Sequence, residues 1–455
     1  MPRRARRRLY ASPVRHRPSI LARAHFTCPA RGAGLLAVLA ALSLAACGSS
    51  GSGSSASSKT AKSTATGSAS AETPALCTAV GAATLGEVGQ RIYRQAAAGR
   101  GVAEAVGRVT RSPALASAIS SGDAAATRTA LNGLLANQIA RIDIVKRGRV
   151  FASAGTGPAI APVRGAIAGT DASFVLSVQA DDSYLKVARQ VTGAEILLLS
   201  GPTSGSPGAR RLAGTIAGPQ PARIPTRGTL KYRKKKYATF SLAGSVYPSG
   251  SLRIVLLVAH SAIRCAGSAA QTHVATLGHV GELIYQEEAG SPYVQATLRH
   301  IEADPGFQRA VATRDLAATR AAIVGFFAAH IHVVRVRVYV SQPSGAQRFF
   351  YDLGGPYVLA PVHGTLHSAG KVVAHFSFAI QDDAGYMKLA HRFTGADVLM
   401  RTGAKQVMGT LDPGPASVPD RGTVSYRASD YQAYSFIGEA FPSGPLRISL
   451  LVAQR

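Results

Sequence analysis

The feature of this sequence that most constrains its fold is an internal duplication. Residues 83–95 read ATLGEVGQRIYRQ and residues 275–287 read ATLGHVGELIYQE, and 8 of these 13 positions are identical. The correspondence recurs between residues 177–195 and 379–397, and again between the closing segments YPSGSLRIVLLV and FPSGPLRISLLV. A repeat of about 190 residues is long enough for each copy to bury a core of its own. We therefore expect one fold, present twice.

Residues 1–46 have the composition of a secretory signal. Nine arginines and no acidic residue precede an apolar run, GLLAVLAALSLAA, which ends at Cys47. The run is too short for a permanent membrane span, and Leu-Ala-Ala-Cys is typical of a bacterial lipobox, whose cysteine receives a diacylglycerol. A signal peptide with an unmodified cysteine is the alternative. We expect Cys47 to be lipidated and the protein to be anchored to the outer, extracytoplasmic face of the cell membrane.

The segment after Cys47 predicts a flexible tether. Up to about residue 73 it consists mostly of Ser, Gly, Ala and Thr, a composition that cannot bury enough apolar surface to order itself. We therefore divide the chain into a signal peptide (1–46), a lipidated cysteine with its tether (47–76), a first copy (77–264) and a second copy (265–455).

The chain is strongly basic, with 51 Lys and Arg residues against 23 Asp and Glu residues. Nine of the arginines precede Cys47, so the rest of the chain keeps a net charge of +19. Outside the membrane the polyanions within reach are lipid head groups and envelope polymers, and we expect no nucleic-acid partner. The densest cluster belongs either to a solvated hairpin tip or to a contact with such a surface. It consists of Lys231, Arg233, Lys234, Lys235 and Lys236.

Two cysteines follow the lipobox, Cys77 and Cys265. Exported proteins meet oxidising conditions, which favours a disulfide between them, and two free buried thiols are the alternative. Neither cysteine belongs to a Cys-x-x-Cys pair, so redox catalysis and thiolate metal sites are not expected. All ten histidines beyond the signal lie from His260 onward, but their spacing matches no metal motif. We predict neither a metal nor a cofactor.

Each copy begins with helical periodicity and ends with strand periodicity. Leu85, Val88 and Ile92 form an apolar stripe at spacings of three and four, and Asp123 is a suitable N-cap for a later helix. Gly86 lies inside the first helix, where glycine lowers helix stability by about 1 kcal/mol relative to alanine. Close helix packing can offset this loss. From residue 334 to residue 340 apolar and polar residues alternate, which predicts a half-buried strand. Each copy is therefore expected to be an α+β domain, with helices first and a mostly antiparallel sheet after them.

The order of elements in each copy resembles the Cache superfamily of extracytoplasmic sensor domains, which are PAS-like sheets preceded by a long helical segment. The resemblance lies in GKVVAHFSFAIQDD at residues 370–383 and the helix after it, in TGADVLMRTG at 394–403, and in RGTVSYRASDYQAYSF at 421–436. It implies a small-molecule site between sheet and helix. Unlike many Cache proteins, the chain has no transmembrane helix or signalling output segment after the second copy. We therefore expect binding or presentation instead of direct signalling.

A ligand site in each copy would draw on polar side chains near the sheet and its helix, because a carboxylate ligand needs a cation and hydroxyl donors. The alternative is a folding role common to both copies, in which the aspartate caps a helix, the tyrosine packs on the sheet and the arginine belongs to a turn. The candidates are Asp181, Tyr184, Lys186, Arg227 and Tyr237 in the first copy, and Asp383, Tyr386, Lys388, Arg421 and Tyr431 in the second.

Enzyme signatures are missing from the sequence. We find no nucleophile elbow in a strand-to-helix context, no phosphate-cradling glycine loop, no His-Glu-x-x-His and no dinucleotide fingerprint. The pairs Asp181-Asp182 and Asp382-Asp383 would point to opposite faces of a strand, so they could not share a proton. We expect a non-catalytic, membrane-anchored module for small-molecule binding or accessory sensing. The alternative is a structural or interaction protein of the cell envelope without a ligand.

Overall fold

The computed structural model describes residues 73–135, 139–201, 209–247, 250–328, 333–356, 358–442 and 444–454. The predicted signal peptide, Cys47 and the predicted tether up to residue 72 lie outside the described residues.

The predicted fold class is confirmed: both copies are α+β, and each begins with helices that precede antiparallel strands. The elements of the first copy are α1 (Pro74–Ala98), α2 (Arg100–Thr110), α3 (Pro113–Ser120), α4 (Ala124–Leu135), β1 (Arg141–Lys146), β2 (Arg149–Ala154), β3 (Ala159–Ile160), β4 (Val163–Ala166), β5 (Ala172–Ser177), β6 (Gln179–Ala180), α5 (Asp181–Thr192), β7 (Glu195–Ser200), β8 (Arg210–Gly214), β9 (Arg227–Tyr232), β10 (Lys235–Tyr247) and β11 (Gly250–Ala259).

The second copy repeats this order element by element. Its elements are α6 (Ala269–Gly290), α7 (Pro292–Ala303), α8 (Pro305–Ala312), α9 (Leu316–Ala328), β12 (Arg335–Ser341), β13 (Gln347–Gly354), β14 (Val358–Leu359), β15 (Val362–Ser368), β16 (Lys371–Ala379), β17 (Gln381–Asp382), α10 (Asp383–Thr394), β18 (Asp397–Thr402), β19 (Lys405–Gly409), β20 (Arg421–Tyr426), β21 (Ser429–Phe441) and β22 (Gly444–Ala453).

Each copy holds two sheets, where the sequence pattern suggested one. In the first copy a small sheet has the order β2-β1-β5-β4, and a larger one has the order β6-β3-β10-β11-β7-β8 with β9 paired to β10. The second copy has the same orders, β13-β12-β16-β15 and β17-β14-β21-β22-β18-β19 with β20 on β21. Strand periodicity identifies strands but not their partners, so the split into two sheets could not be read from it.

The small sheets show the predicted alternation and lie under the short helices. In β12 the residues Val336, Val338 and Val340 are buried in a core with α7, α8 and α9, while Arg335, Arg337 and Tyr339 are only partly buried. The helix that covers the equivalent sheet of the first copy starts as predicted, because Asp123 Oδ1 accepts from Ala125 N (2.8 Å) and Ala126 N (2.9 Å). The short helices thus do not cover the polar face of each small sheet, and the larger sheet of the same copy lies beside that face.

The glycines of the two long helices allow a close approach to the larger sheets. A Cβ at Gly86 would lie 2.2 Å from the Phe240 ring, and one at Gly278 would lie 2.1 Å from the Tyr434 ring. Close packing therefore explains these glycines, as expected from sequence, but the element against them is the sheet of the same copy.

The two copies share one core because α1 packs against α6. Their apolar stripes enter a single cluster, in which Leu85, Val88 and Ile92 lie with Leu277, Val280 and Ile284. Hydrogen bonds also cross between the copies, one between Thr84 Oγ1 and His273 Nδ1 (2.8 Å) and one from Gln190 Nε2 to Glu287 Oε1 (2.6 Å). A further covalent link joins Cys77 of α1 to Cys265, with their Cα atoms 5.5 Å apart. The predicted boundary at residue 264 therefore falls inside one continuous packing unit.

The substitution Gly278→Ala tests the helix-to-sheet contact. We expect it to lower the free energy of unfolding by about 1–3 kcal/mol, because the added methyl forces the Tyr434 ring out of place. The measurement is urea unfolding followed by circular dichroism. Gly325→Ala is the matched control, since nothing lies within 4 Å of a Cβ on this helical glycine. That control is expected to stabilise by up to about 1 kcal/mol. Equal effects of the two changes would contradict the packing explanation.

Candidate functional site

Two of the four tyrosines among the predicted ligand residues, Tyr184 and Tyr386, point into the core that the copies share. Tyr184 is 1% exposed and donates to the carbonyl oxygen of Gly89 (3.4 Å), while Tyr386 is fully buried and donates to that of Gly281 (3.0 Å). Burial raises the pKa of both hydroxyls above their ordinary value, so both remain protonated donors. These side chains pin α5 and α10 to the long helices and have no surface to offer a ligand.

The other predicted residues of the first copy do not converge on Tyr184. Lys186 is exposed on α5. Tyr237 lies with Leu230 and Val255 in a cluster on the opposite face of the larger sheet. The five candidates of the first copy are thus spread over two faces of a sheet and do not form one pocket, and Lys388 and Tyr431 occupy the same places in the second copy.

The predicted aspartates lie at the starts of α5 and α10. Asp181 and Asp182 form the first turn of α5, so the prediction that this pair lies on a strand is wrong. In the second copy Asp382 is the helix cap, since its Oδ1 accepts from Gly385 N (2.6 Å). Asp383 follows it and is 5% exposed, and burial raises the pKa of its carboxyl from 3.8 to about 6.

Arg421 is the predicted residue that lines a described cavity. This cavity, which we call the Arg421 pocket, has a volume of about 300 Å³ and lies between the start of α6 and the strands β20 and β21, next to Cys265. Its walls combine polar and apolar side chains. Among them are Arg264, Arg421, Gln432, Tyr434, Val274 and Ala275.

The guanidinium of Arg421 is held in place by an aromatic ring and two carbonyl oxygens instead of by a carboxylate. Its Cζ lies 3.3 Å from the centroid of the Tyr434 ring, and Nη1 donates to the carbonyl oxygens of Asp420 and Ser435 (2.6 Å each). The carboxylate of Asp420 pairs with Arg447 instead (2.7 Å). Across the described ranges no carboxylate lies within 4.0 Å of Arg421, so the pocket contains a cation that no acid neutralises.

The wall behind Arg421 is a fixed hydrogen-bond network around Glu282. This carboxylate accepts from Tyr434 Oη (2.7 Å), contacts His279 Nδ1 (3.2 Å) and lies 3.8 Å from Arg264 Nη1. The hydrogen bond with His279, supported by Tyr434 and Arg264, lowers the pKa of Glu282. Burial, together with that acid, raises the pKa of Tyr434 to about 12. The second guanidinium of the pocket, Arg264, is therefore partly neutralised, whereas Arg421 is not.

Gln432 adds a polar atom that the protein itself leaves without a partner. Its Nε2 donates to Thr423 Oγ1 (3.0 Å), while Oε1 is buried and has no hydrogen-bond partner within the described part of the chain. Buried polar atoms without a partner are uncommon in folded proteins. An amide oxygen in this position can accept a hydrogen bond from a bound molecule.

The first copy keeps the arginine but not its surroundings. Arg227 lies over Phe240, with its Cζ 5.0 Å from the ring centroid, as Arg421 lies over Tyr434. Phe240 has no hydroxyl, Ala238 replaces Gln432, and Gln90 replaces Glu282. Sequence reasoning selected Arg421 as the cation that a carboxylate ligand needs. It missed Gln432 and Tyr434, which could have been found as differences between copies at equivalent positions.

The described residues give no sign of a metal centre or a membrane span. In the ranges that the structure covers, no group of three or more His, Cys, Asp and Glu side chains could hold a metal ion. Within the same residues, no helix has the length and apolarity needed to cross a bilayer.

The basic cluster lies at the turn between β9 and β10, which we call the basic tip. Lys231 and Arg233–Lys236 are exposed, and Arg233 and Lys234 turn the chain with positive φ angles of 49° and 63°. The equivalent turn of the second copy, at Arg427 and Ala428, is followed by Asp430. The concentration of charge thus belongs to the first copy alone.

Comparisons with known proteins give little. No protein family and no curated protein matches the chain. Among solved structures, the chain is similar to an extracellular ligand-binding receptor from Desulfohalobium retbaense DSM5692, with 11% sequence identity and a TM-score of 0.25. The match covers 50% of this chain and 47% of the receptor, so the chain spans about half of that receptor's length. Function is therefore inferred from the site itself.

The buried Asp383 predicts how stability depends on pH. Its folded-state pKa is about 6 against 3.8 in an unfolded chain, so between these values the folded state binds more protons. The free energy of unfolding therefore falls as pH rises through this window. Asp383→Asn removes the titrating carboxyl and with it this dependence on pH. The amide oxygen of the variant can still accept the hydrogen bond that Ala384 N donates to Asp383 Oδ1 (2.8 Å). We expect the variant to be more stable than the parent by about 1–3 kcal/mol at pH 7.

This gain is expected to disappear near pH 4, which urea unfolding at a series of pH values measures. Asp181→Asn is the control, because Asp181 is less buried and its pKa is raised less. A constant difference between Asp383→Asn and the parent across the pH range would contradict the assignment.

Proposed function

We propose that this protein is a lipid-anchored, extracytoplasmic module with two tandem Cache-like domains that binds a small molecule without catalysing a reaction. The observation that carries the proposal is the guanidinium of Arg421, which faces a cavity and has no carboxylate partner among the described residues. A cation without an acidic partner favours an anionic ligand, because the negative charge of the ligand can pair with it.

The walls of the Arg421 pocket narrow the class of ligand to small carboxylates. Its volume of about 300 Å³ is at the lower end for ligand sites, which suits a molecule of few heavy atoms. Val274, Ala275 and Ala433 supply apolar contact, and Gln432 Oε1 supplies one acceptor. A short organic acid with an apolar body and one hydrogen-bond donor matches this set. Binding in the second copy would make the protein a receptor or an accessory to one.

The disulfide supports the proposed location. The bond between Cys77 and Cys265 forms under the oxidising conditions that exported proteins meet. With the predicted lipidation of Cys47 and the predicted tether, it fits a domain pair held at the outer face of the membrane.

A structural role in the envelope, without a ligand, is the second candidate. The continuous core between the copies favours this role, because Tyr184 and Tyr386, two of the predicted ligand residues, are buried inside it and support the fold. The two proposals differ in whether the Arg421 pocket binds anything.

Thermal unfolding with a panel of small carboxylates, amino acids, sugars and divalent metals distinguishes the two candidates. A carboxylate at a hundredfold its dissociation constant is expected to stabilise the protein by about 2.7 kcal/mol, a shift of several degrees in Tm. Arg421→Ala is expected to abolish the shift. Arg227→Ala is the matched control, since this arginine is stacked in the same way in the first copy. Unchanged Tm values across the whole panel would favour the structural role.

The basic tip is proposed to contact anionic lipid head groups or envelope polymers. Each lysine near an anionic surface contributes about 1 kcal/mol, so reversing three charges with Lys234→Glu, Lys235→Glu and Lys236→Glu is expected to cost about 3 kcal/mol or more. Co-sedimentation with vesicles containing phosphatidylglycerol, using chain without the predicted lipid, measures the loss. Arg427→Glu at the equivalent turn is the control and is expected to have a smaller effect. Vesicle binding that stays the same after the triple substitution, or at raised salt concentration, would contradict this contact.

A further inference from the structure

A second cavity lies between the small sheet of the second copy and the tip of the β21–β22 hairpin, and we call it the hairpin cleft. Its volume is about 550 Å³, within the range of small-molecule sites. The floor is the polar face of β12, β15 and β16. The side chains that define its chemistry are Arg337, Tyr339, His363, His375, Ser377 and Glu439.

The floor of the hairpin cleft is rigid because two arginines share one acid. Asp352 Oδ2 accepts from Arg337 Nη2 (2.6 Å) and Nε (2.9 Å), and the same carboxylate accepts from Arg335 Nη2 (2.6 Å) and Nε (2.8 Å). Burial by itself would raise the pKa of Asp352, but the hydrogen bonds from both arginines outweigh burial and lower it. Both guanidiniums also lie over the ring of Phe441, at 5.3 and 5.4 Å.

The charges around the hairpin cleft are balanced, unlike those of the Arg421 pocket. Arg337 and Glu439 line the cleft, and the charge of Arg337 is paired with Asp352, which also binds Arg335; Asp352 and Arg335 lie beside the cleft and do not line it. The nearest contact of Glu439 is with His363, at 3.9 Å between Oε2 and Nε2. A charged ligand would disturb this balance, whereas a neutral ligand would not.

The remaining polar groups suit hydroxyl groups. His363 Nδ1 lies 2.9 Å from Ser377 Oγ, and Tyr339 Oη accepts from Arg337 Nη1 (3.2 Å) and keeps its own proton as a donor. His375 is exposed at the edge of the cleft. Imidazole, serine and tyrosine side chains each can donate and accept, which is also the capacity of a sugar hydroxyl.

The first copy shows that the shared fold does not require these residues. At positions equivalent in strand register it has Asp143 for Arg337, Arg164 for His363 and Ser173 for His375. Asp143 is 1% exposed and lies 3.6 Å from Arg141. Because the two copies share one fold, residues that only one copy holds around a cavity are not required by that fold and are candidates for a specific function. By this argument His363 and His375, two of the histidines of the second copy, are candidates for ligand binding.

We propose that the hairpin cleft is a second binding site, separate from the Arg421 pocket, for a neutral polyhydroxylated molecule of the size of a mono- or disaccharide. The balanced charges exclude a preference for acids, and the paired donors and acceptors face the hydroxyls. The half-buried Tyr339 ring and the apolar side chains of Ala440 and Pro442 contact the carbon face of the sugar.

Isothermal titration of the full-length protein with glucose, N-acetylglucosamine and maltose tests the proposal, with gluconate as the charged counterpart of glucose. At least one neutral sugar is expected to bind. His375→Ala and Glu439→Ala are each expected to weaken it about tenfold, since each removes one hydrogen bond. His367→Ala is the matched control, because His367 is an exposed histidine on β15 that does not line the cleft. Both altered side chains are exposed, and circular dichroism checks that the variants fold.

The arms of this experiment separate the two sites. Sugar binding that survives Arg421→Ala and falls with His375→Ala supports the hairpin cleft, whatever the outcome for carboxylates. Three results overturn the proposal: no neutral sugar binds, binding is unaffected by both cleft variants, or gluconate binds more tightly than glucose and is lost with His375→Ala. Sugar binding that is lost with Arg421→Ala alone would also overturn it, because the ligand would then occupy the other pocket.

Discussion

The packing of α1 against α6 is the contact on which the rest of the structure depends. It places the apolar stripes of two helices, about 190 residues apart in sequence, in one core, and each helix also lies on the larger sheet of its own copy. Gly86 and Gly278 make this double contact possible, because a side chain at either position would collide with an aromatic ring of the sheet. The disulfide between Cys77 and Cys265 closes the same region covalently. The two copies are therefore two halves of one packed unit.

This arrangement explains why residues kept by both copies are mostly structural. Tyr184 and Tyr386 donate to carbonyl oxygens of the long helices and hold α5 and α10 against them. A residue in such a position cannot change in one copy without disturbing the shared core. The polar faces away from that core are under no such constraint, and there the copies differ in charge, as with Arg337 against Asp143.

The Arg421 pocket and the hairpin cleft differ in electrostatics as well as in volume, which is about 300 Å³ in the first and about 550 Å³ in the second. In the Arg421 pocket the nearby Asp420 pairs with Arg447, which leaves one guanidinium without an acid. In the hairpin cleft the charge of Arg337 is paired with Asp352, which Arg337 shares with Arg335, and Glu439 is the acid on the opposite wall. A pocket with an unpaired cation and apolar walls suits a small acid, whereas a balanced polar cleft suits a neutral ligand. One duplicated fold thus presents two chemically distinct surfaces on a single copy.

Local patterns in the sequence were enough to predict the duplication, the α+β class, the alternation in β12, the cap at Asp123 and the need for glycine in the long helices. The duplication is read from matching segments such as 83–95 and 275–287. The other features depend on residues within a few positions of one another, and helix and strand periods record them directly. The division into two sheets, the burial of the candidate tyrosines and the free charge of Arg421 were decided by the tertiary structure. Each depends on residues brought together from distant parts of the chain, such as Tyr434 with Glu282. Whether a guanidinium forms a binding site or a structural ion pair depends on whether packing places a carboxylate beside it. No local pattern in the sequence specifies that partner.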